Sequence, residues 1–309
     1  MTYSQGGLIQ ATDYNTFAQG GSSVNHAVAN INTVWGVGSG DKGYGQSSTL
    51  STVAATNTVT ATQWSTMIAR LNSILTHQSG SGSGVTAPTA GNTITFLSTL
   101  SGKITDGFNN RLNFASNGTD ATATGSVNTS WTTNGAALTV TRTATFGSAD
   151  QARYFFNAGG KLIVNFGGTN NAGNSKGNDW VDLLGTKLDT IIVGAYTNSR
   201  GGSGGSVTSS NTALGYWNAG TSNNKILELT SNSGTADYGS NKVEVFIKTN
   251  GVQGSNGDVG TQLSVILTVT DVAADSFDDA INLTINTTWT KRPPETSNLT
   301  DVWGTPTYG

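Results

Sequence analysis

Apolar positions in the first third of the chain recur at intervals of three and four residues, the spacing of one face of a helix. Val24, Ala27, Val28, Ile31, Val34 and Trp35 form one such series, ending at Gly36. Trp64, Met67, Ile68, Leu71, Ile74 and Leu75 form another, opened by Thr60 or Thr62 and closed before the Gly/Ser run from Ser79 to Gly84. Thr12 is placed to cap a shorter segment that begins Asp13-Tyr14-Asn15. After Pro88 the positions Ile94, Leu97, Leu100, Ile104, Phe108 and Leu112 keep helical spacing, although Gly102 and Gly107 each cost ~1 kcal/mol relative to Ala. Beyond about residue 120 the period shortens to two. Short runs rich in Val, Ile, Thr and aromatics then predict strands: Ala137 to Phe146, Arg153 to Phe156, Lys161 to Phe166, Lys225 to Thr230, Lys242 to Lys248, Leu263 to Val269 and Ile281 to Trp289. Trp180 to Val193 reads as a short helix followed by a strand.

This order predicts an α+β chain: a short helical N-terminal module followed by a mainly antiparallel β-sandwich or jelly-roll-like domain, its strands separated by Gly/Asn/Ser clusters. The expected divisions are a helical attachment module over residues 1–115, with a linker at about 78–91, and a β domain over 116–291. Arg292-Pro293-Pro294 cannot continue a sheet interior, because proline offers no ladder donor, so residues 292–309 are expected to leave as an extended arm.

Composition narrows the function classes. Charged residues make up 11% of the 309 positions, against about 25% in an average soluble protein. The polar surface therefore falls to Gly, Ser, Thr and Asn, groups that enter subunit interfaces without the desolvation cost of an unpaired ion. A net charge of −3 supplies no basic footprint for nucleic acid. With no Cys, disulfides, thiolate zinc sites and cysteine nucleophiles are excluded. No run of 18 apolar residues predicts a membrane span, and the start Met1-Thr2-Tyr3-Ser4-Gln5-Gly6-Gly7 has neither the basic nor the apolar part of a signal peptide. Synthesis in a cytoplasm is the expectation.

Candidate chemistry is sparse. His26 and His77 are the two histidines, each on an expected helix without a motif around it, and are read as surface or interface residues. Gly38-Ser39-Gly40-Asp41-Lys42-Gly43 matches the glycine pattern of dinucleotide loops but follows a helix rather than a strand. It is read as a structural loop whose glycines allow positive φ while Tyr44 packs back on the helices. Oxygen donors at Asn170 to Asp179 and at Asn256-Gly257-Asp258 lack EF-hand spacing and are read as turns. The adjacent carboxylates Asp278 and Asp279 are read as a turn too. Asn-x-Ser/Thr triplets at Asn117, Asn128, Asn282, Asn286 and Asn298 reflect abundant Asn and Thr. No cofactor or metal site is expected. Tyr216 and Trp217, after the Gly/Ser loop from Ser199 to Ser210, are candidates for stacking on a host surface glycan, with burial of Trp217 in the sandwich as the competing expectation.

Several stretches carry a resemblance: Asp13-Tyr14-Asn15, Ile31-Asn32-Thr33-Val34-Trp35-Gly36, Gly43-Tyr44-Gly45-Gln46, Gln63-Trp64, His77-Gln78, the run from Ala152 to Gly160, and Asn178-Asp179-Trp180. Their wording resembles virion structural proteins of tailed bacteriophages, with a texture like those infecting aquatic bacteria, including cyanophages. The resemblance extends over most of the chain and marks no active site. It implies a non-enzymatic tail, neck, collar, fibre or capsid-associated component, made in the host bacterial cytoplasm and carried in the virion. Its expected partners are other virion proteins and further copies of itself, with neither nucleic acid nor membrane. Trp35, Tyr44 and Trp64 are the candidate assembly residues, the Trp35 and Trp64 stripes being expected to bury against a neighbour. Two other classes stay open: a receptor-binding adhesin using Tyr216 and Trp217, and a particle-borne polysaccharide hydrolase, for which Asp258, Asp278 and Asp279 are the available carboxylates.

Overall fold

The computed structural model describes residues 10–21, 26–91, 93–122, 127–231, 238–251, 260–272 and 280–309. The chain forms two compact units, each discontinuous in sequence. One comprises Met1–Gly118, Arg153–Gly159 and Pro294–Trp303, the other Thr119–Ala152, Gly160–Pro293 and Gly304–Gly309. The fold class is α+β, a short helical N-terminal region with a mainly antiparallel β body.

In the helical unit, α1 (Ala11–Gln19) starts one residue before the expected cap, with the Asp13 carboxylate accepting from the Gln10 N–H at 3.2 Å. The longest helix is α3, and α2 is only a short turn. The series from Val24 yields α2 (Ile31–Trp35) alone; Val24 and its neighbours 22, 23 and 25 lie outside the described residues. Residues 26–30 turn instead, because side chains take the carbonyls a helix would use. Asn30 Nδ2 donates to the His26 and Val28 carbonyls at 3.3 Å each, and His26 Nδ1 lies 2.8 Å from the Ala29 carbonyl. Asn30 Oδ1 then caps α2 through the Thr33 N–H at 2.9 Å.

Helix α3 (Ala61–Ser79) is bounded as its sequence demands. Thr60 Oγ1 accepts from the Gln63 N–H at 3.3 Å, Gln63 Oε1 accepts from the Thr60 N–H at 2.8 Å, and Gly80 ends the helix at φ 79°. Its buried stripe is Trp64, Met67, Ile68, Leu71, Ile74 and Leu75. Thr60→Ala removes the reciprocal cap and is expected to cost about 1 kcal/mol in urea unfolding. Helix α4 (Leu97–Asn109) keeps both glycines, of which Gly107 has a packing reason: a Cβ there would sit 3.3 Å from Ile74 Cγ2.

Arg153 to Phe156, expected as a strand, belongs instead to α5 (Ala149–Asn157). Ser148 and Gln151 form a helix-starting pair: Ser148 Oγ accepts from the Gln151 N–H at 3.1 Å, and Gln151 Oε1 accepts from the Gly147 N–H at 3.1 Å. The aromatic run is buried at Tyr154, Phe155 and Phe156, so the β-like composition reflects core packing.

The β unit holds two six-stranded antiparallel sheets with sandwich-like architecture. The first contains β1 (Ala121–Thr122), β2 (Val127–Trp131), β4 (Lys161–Asn170), β5 (Thr190–Val193), β6 (Asn198–Arg200) and β11 (Leu283–Arg292). The order β1-β11-β4-β5-β6 has β2 also pairing β11. The second runs β12 (Thr307–Tyr308), β3 (Ala137–Thr145), β10 (Gln262–Thr270), β9 (Lys242–Thr249), β8 (Asn224–Thr230), β7 (Ser206–Ser210). The pairs β2–β11 and β3–β10 lie in different sheets, a rolled-up arrangement of chain beginning and end, as in the outer pairs of a jelly roll. The steps β4–β5 and β8–β9–β10 join sequential strands, so the roll is partial.

Burial alternates strictly along β9, where Val243, Val245, Ile247 and Thr249 face inward. Arg142 on β3 spans the interior: Nε donates to Thr287 Oγ1 on β11 at 2.5 Å and Nη2 to Thr129 Oγ1 on β2 at 3.2 Å. Between β4 and β5 the chain forms α6 (Ser175–Asp182) and a π-helical turn (Leu183–Leu188), in line with the helix-then-strand expectation. Trp180 is fully buried there, edge-on to Trp131 at 4.8 Å.

Residues 292–309, expected to leave as an arm, fold back. Arg292 closes β11, and Leu299 and Trp303 are buried in the helical unit. Gln46 Nε2 donates to the Thr300 carbonyl at 3.0 Å and Gln46 Oε1 accepts from the Thr300 N–H at 2.8 Å, while Thr307 and Tyr308 pair with β3. The prolines end the strand, but the apolar Leu299 and Trp303 give the chain a reason to return.

Candidate functional site

Two features of the helical unit bring function-capable side chains together: a buried polar network and a surface groove. The network surrounds the glycine loop of residues 36–46. Gly38, Gly40, Gly43 and Gly45 have φ of 53°, 58°, 90° and 70°, a backbone open to glycine at little cost. Gly45 also lies against the Tyr154 ring, leaving no room for a Cβ. Three side chains fasten the loop. Arg111 Nη2 meets Asp41 Oδ2 at 2.5 Å, Arg153 Nη1 donates to the Lys42 carbonyl at 3.1 Å, and Asn157 Nδ2 donates to the Gly40 and Gly43 carbonyls at 3.2 and 3.0 Å. Burial acts to raise the Asp41 carboxyl, but the Arg111 and Lys42 charges outweigh it and hold it below the usual range. This is a structural loop, and Tyr44 packs back on the helices with no exposed surface.

Both histidines, expected as surface or interface residues, are buried within the chain. His26 Nδ1 lies 2.8 Å from the Ala29 carbonyl and Nε2 lies 2.9 Å from Ser101 Oγ. His77 joins three chain segments: Nδ1 is 3.2 Å from Glu295 Oε1 and Nε2 is 3.0 Å from the Ala158 carbonyl. Burial pushes its imidazole below the ordinary range, against the pull of these acceptors. Burial also acts to raise Glu295, yet bonds from Ser297, Asn298 and His77 hold that carboxyl down to about 2. Beside them Tyr44 Oη donates to the Arg111 carbonyl at 2.7 Å and accepts from Gln78 Nε2 at 2.8 Å.

The groove is formed where α2 and residues 46–48 meet the polar face of α3. Its volume is about 350 Å³, and Trp35, Ser47, Ser48, Arg70, Ser73 and Thr300 are prominent in its walls. The Arg70 guanidinium stacks 5.1 Å over the Trp35 ring, and the indole N–H donates to the Ser47 carbonyl at 2.9 Å. Arg70 has one weak hydrogen bond, from Nη1 to the Ser47 carbonyl at 3.4 Å, and no acidic residue lines the groove. Ser48 holds φ 59°, an uncommon conformation for a residue with a side chain.

These placements revise the expected site residues. Tyr44 and Trp64 are core positions, leaving Trp35, half-buried in the groove wall, as the one candidate assembly residue with surface to offer. Tyr216 and Trp217 are buried as well, with Tyr216 Oη donating to the Gly260 carbonyl at 2.7 Å and the two rings edge-on at 5.3 Å. Neither presents a face on which a sugar could stack, and burial, the competing expectation for Trp217, is what the structure shows. In the Asn170–Asp179 stretch the oxygens serve local structure: Asn174 Oδ1 caps α6 through the Gly177 N–H at 2.9 Å, and Asp179 Oδ1 accepts from Ser231 Oγ at 2.5 Å. Among the described residues no group of three His, Asp or Glu is placed to hold a metal ion. Asp258, Asp278 and Asp279 lie outside the described residues, as do Asn256 and Gly257. Arg70 carried no signal in the sequence, because its pairing with Trp35 is made only by the fold. No protein-family model, curated protein or solved structure matches the chain.

Proposed function

We propose that this chain is a non-catalytic structural component of a tailed-phage virion, attached through its helical unit and presenting or stacking its β unit. The observation that carries this reading is how the helical unit uses its polar groups. His77, Asn157, Gln46 and Arg153 hold remote backbone segments in place, His26 meets the Ser101 hydroxyl, and both imidazoles are enclosed. Such fixing suits a part whose task is to keep its shape within an assembly. The low charge of the chain points the same way, since uncharged polar surface is buried between subunits at modest cost. Trp35 is the residue this reading places nearest a neighbour.

Mass spectrometry of gradient-purified particles tests the proposal, with cryo-electron microscopy locating the copies. The expected result is this chain at fixed stoichiometry with its helical unit against another protein. Absence from the particles overturns the reading. Deleting residues 1–115 is a poor substitute, because it would uncover Phe155, Phe156 and Trp303, which belong to the same unit.

A further inference from the structure

We infer that the groove between Trp35 and Arg70 binds an acidic sugar, a uronate unit whose carboxylate meets the Arg70 guanidinium while its ring hydroxyls meet the serines and threonine of the walls. This inference is independent of the virion reading. Four observations converge on it. First, Arg70 has no ion-pair partner among the described residues, although its charge is held against an aromatic face and its Nε is buried without an acceptor. Carboxylates are the groups such a planar donor recognises best when one charge suffices. A phosphate would call for more, and the lining offers no second cation.

Second, the side-chain hydroxyls of Ser47, Ser48, Ser73 and Thr300 have no hydrogen-bond partner among the described residues, and each can donate and accept. That capacity complements the vicinal hydroxyls of a sugar rather than the methylene stem of an acidic side chain. Third, about 350 Å³ is at the small end of ligand sites, which run ~300–1,000 Å³, so it suits one sugar unit. Fourth, Ser48 is held at φ 59° in the wall, and strain of that kind gathers at ligand clamps. Residues 66, 69, 70 and 73 occupy one face of α3, opposite its buried stripe, so the helix presents the wall on a rigid support.

The test is a titration of the full-length chain, isotope-labelled for NMR, with sodium glucuronate at constant ionic strength, following the Trp35 indole and Arg70 Nε–H signals. Acetate and glucose are the comparison ligands. The expected result is saturable, low-millimolar binding of glucuronate, with acetate and glucose each weaker by roughly tenfold or more, the loss set by one charge-assisted bond. Arg70→Gln is expected to weaken glucuronate by at least about the same factor. Arg70→Lys, which keeps the charge but not the fork, should also bind more weakly while its spectrum stays dispersed. Absence of saturable glucuronate binding to the folded wild type overturns the inference. Acetate binding as tightly as glucuronate would overturn the sugar assignment, and equal binding of glucose would overturn the role of Arg70.

Discussion

Replacing Lys176 with Met is expected to lower the unfolding temperature of the β unit by roughly 10 °C, the larger of the stability effects the structure implies. Lys176 Nζ lies 2.9 Å from Asp271 Oδ2, and both side chains are only 1% exposed. Asp271 Oδ2 also accepts from the Gly135 N–H at 2.7 Å, while Oδ1 has no partner. Removing the ammonium strands a carboxylate in the interior, which typically costs 3–5 kcal/mol. The double variant Lys176→Met with Asp271→Asn should recover most of the loss, since the amide keeps an acceptor for Gly135 without the charge. Calorimetric melting decides the matter. A single variant within about 1 kcal/mol of wild type would mean that the ion pair is not what holds α6 to the end of β10.

Neither partner of that pair stands out in the sequence, and the reason is general to this chain. Elements whose signals are local were legible. Thr60, Gln63, the stripe from Trp64 to Leu75 and Gly80 together define α3 without help from the rest of the protein. The alternation of β9 likewise needs only its own residues. Where local signals conflict, the stronger-looking one misled. The Tyr154-Phe155-Phe156 run has strand composition, but Ser148 and Gln151 start a helix just upstream, and the structure follows the cap. The spacing from Val24 to Trp35 suggests one helix, but Asn30 and His26 bond carbonyls within 26–30 and break it.

Contacts made across long separations were illegible in principle. His77 and Glu295 are 218 positions apart, Gln46 and Thr300 are 254 apart, and only folding makes either a pair. The same holds for the groove, where Trp35 was singled out as a candidate assembly residue but Arg70 gained meaning only once it lay over the indole. Burial likewise separated Trp35 from Tyr44, Trp64, Tyr216 and Trp217, five aromatics that composition treats alike. A chain poor in charge hides its sites in this way. Its recognition chemistry rests on common residues such as Ser and Thr, whose significance is positional.

The Glu295 carboxylate gives the second large effect, and it is set by pH. Burial acts to raise it, but donors from Ser297, Asn298 and His77 hold it at about 2 against an ordinary value of 4.5, and its side chain is 12% exposed. That gap corresponds to about 3 kcal/mol of stability at neutral pH, as an order of magnitude. A carboxyl held down in the folded chain binds its proton more readily when unfolded. The contribution is therefore complete above about pH 4.5 and is lost as pH falls toward 2. His77, pushed below its ordinary 6.5 by burial, acts with the same sign at higher pH, because protonation there also favours the unfolded chain. Glu295→Gln keeps acceptors for Ser297 and Asn298 but cannot titrate. The difference in urea-unfolding stability between wild type and this variant should be largest at neutral pH and should shrink between pH 5 and 3. A difference that stays constant across that interval would show that Glu295 is not the charge fastening residues 294–303 to α3.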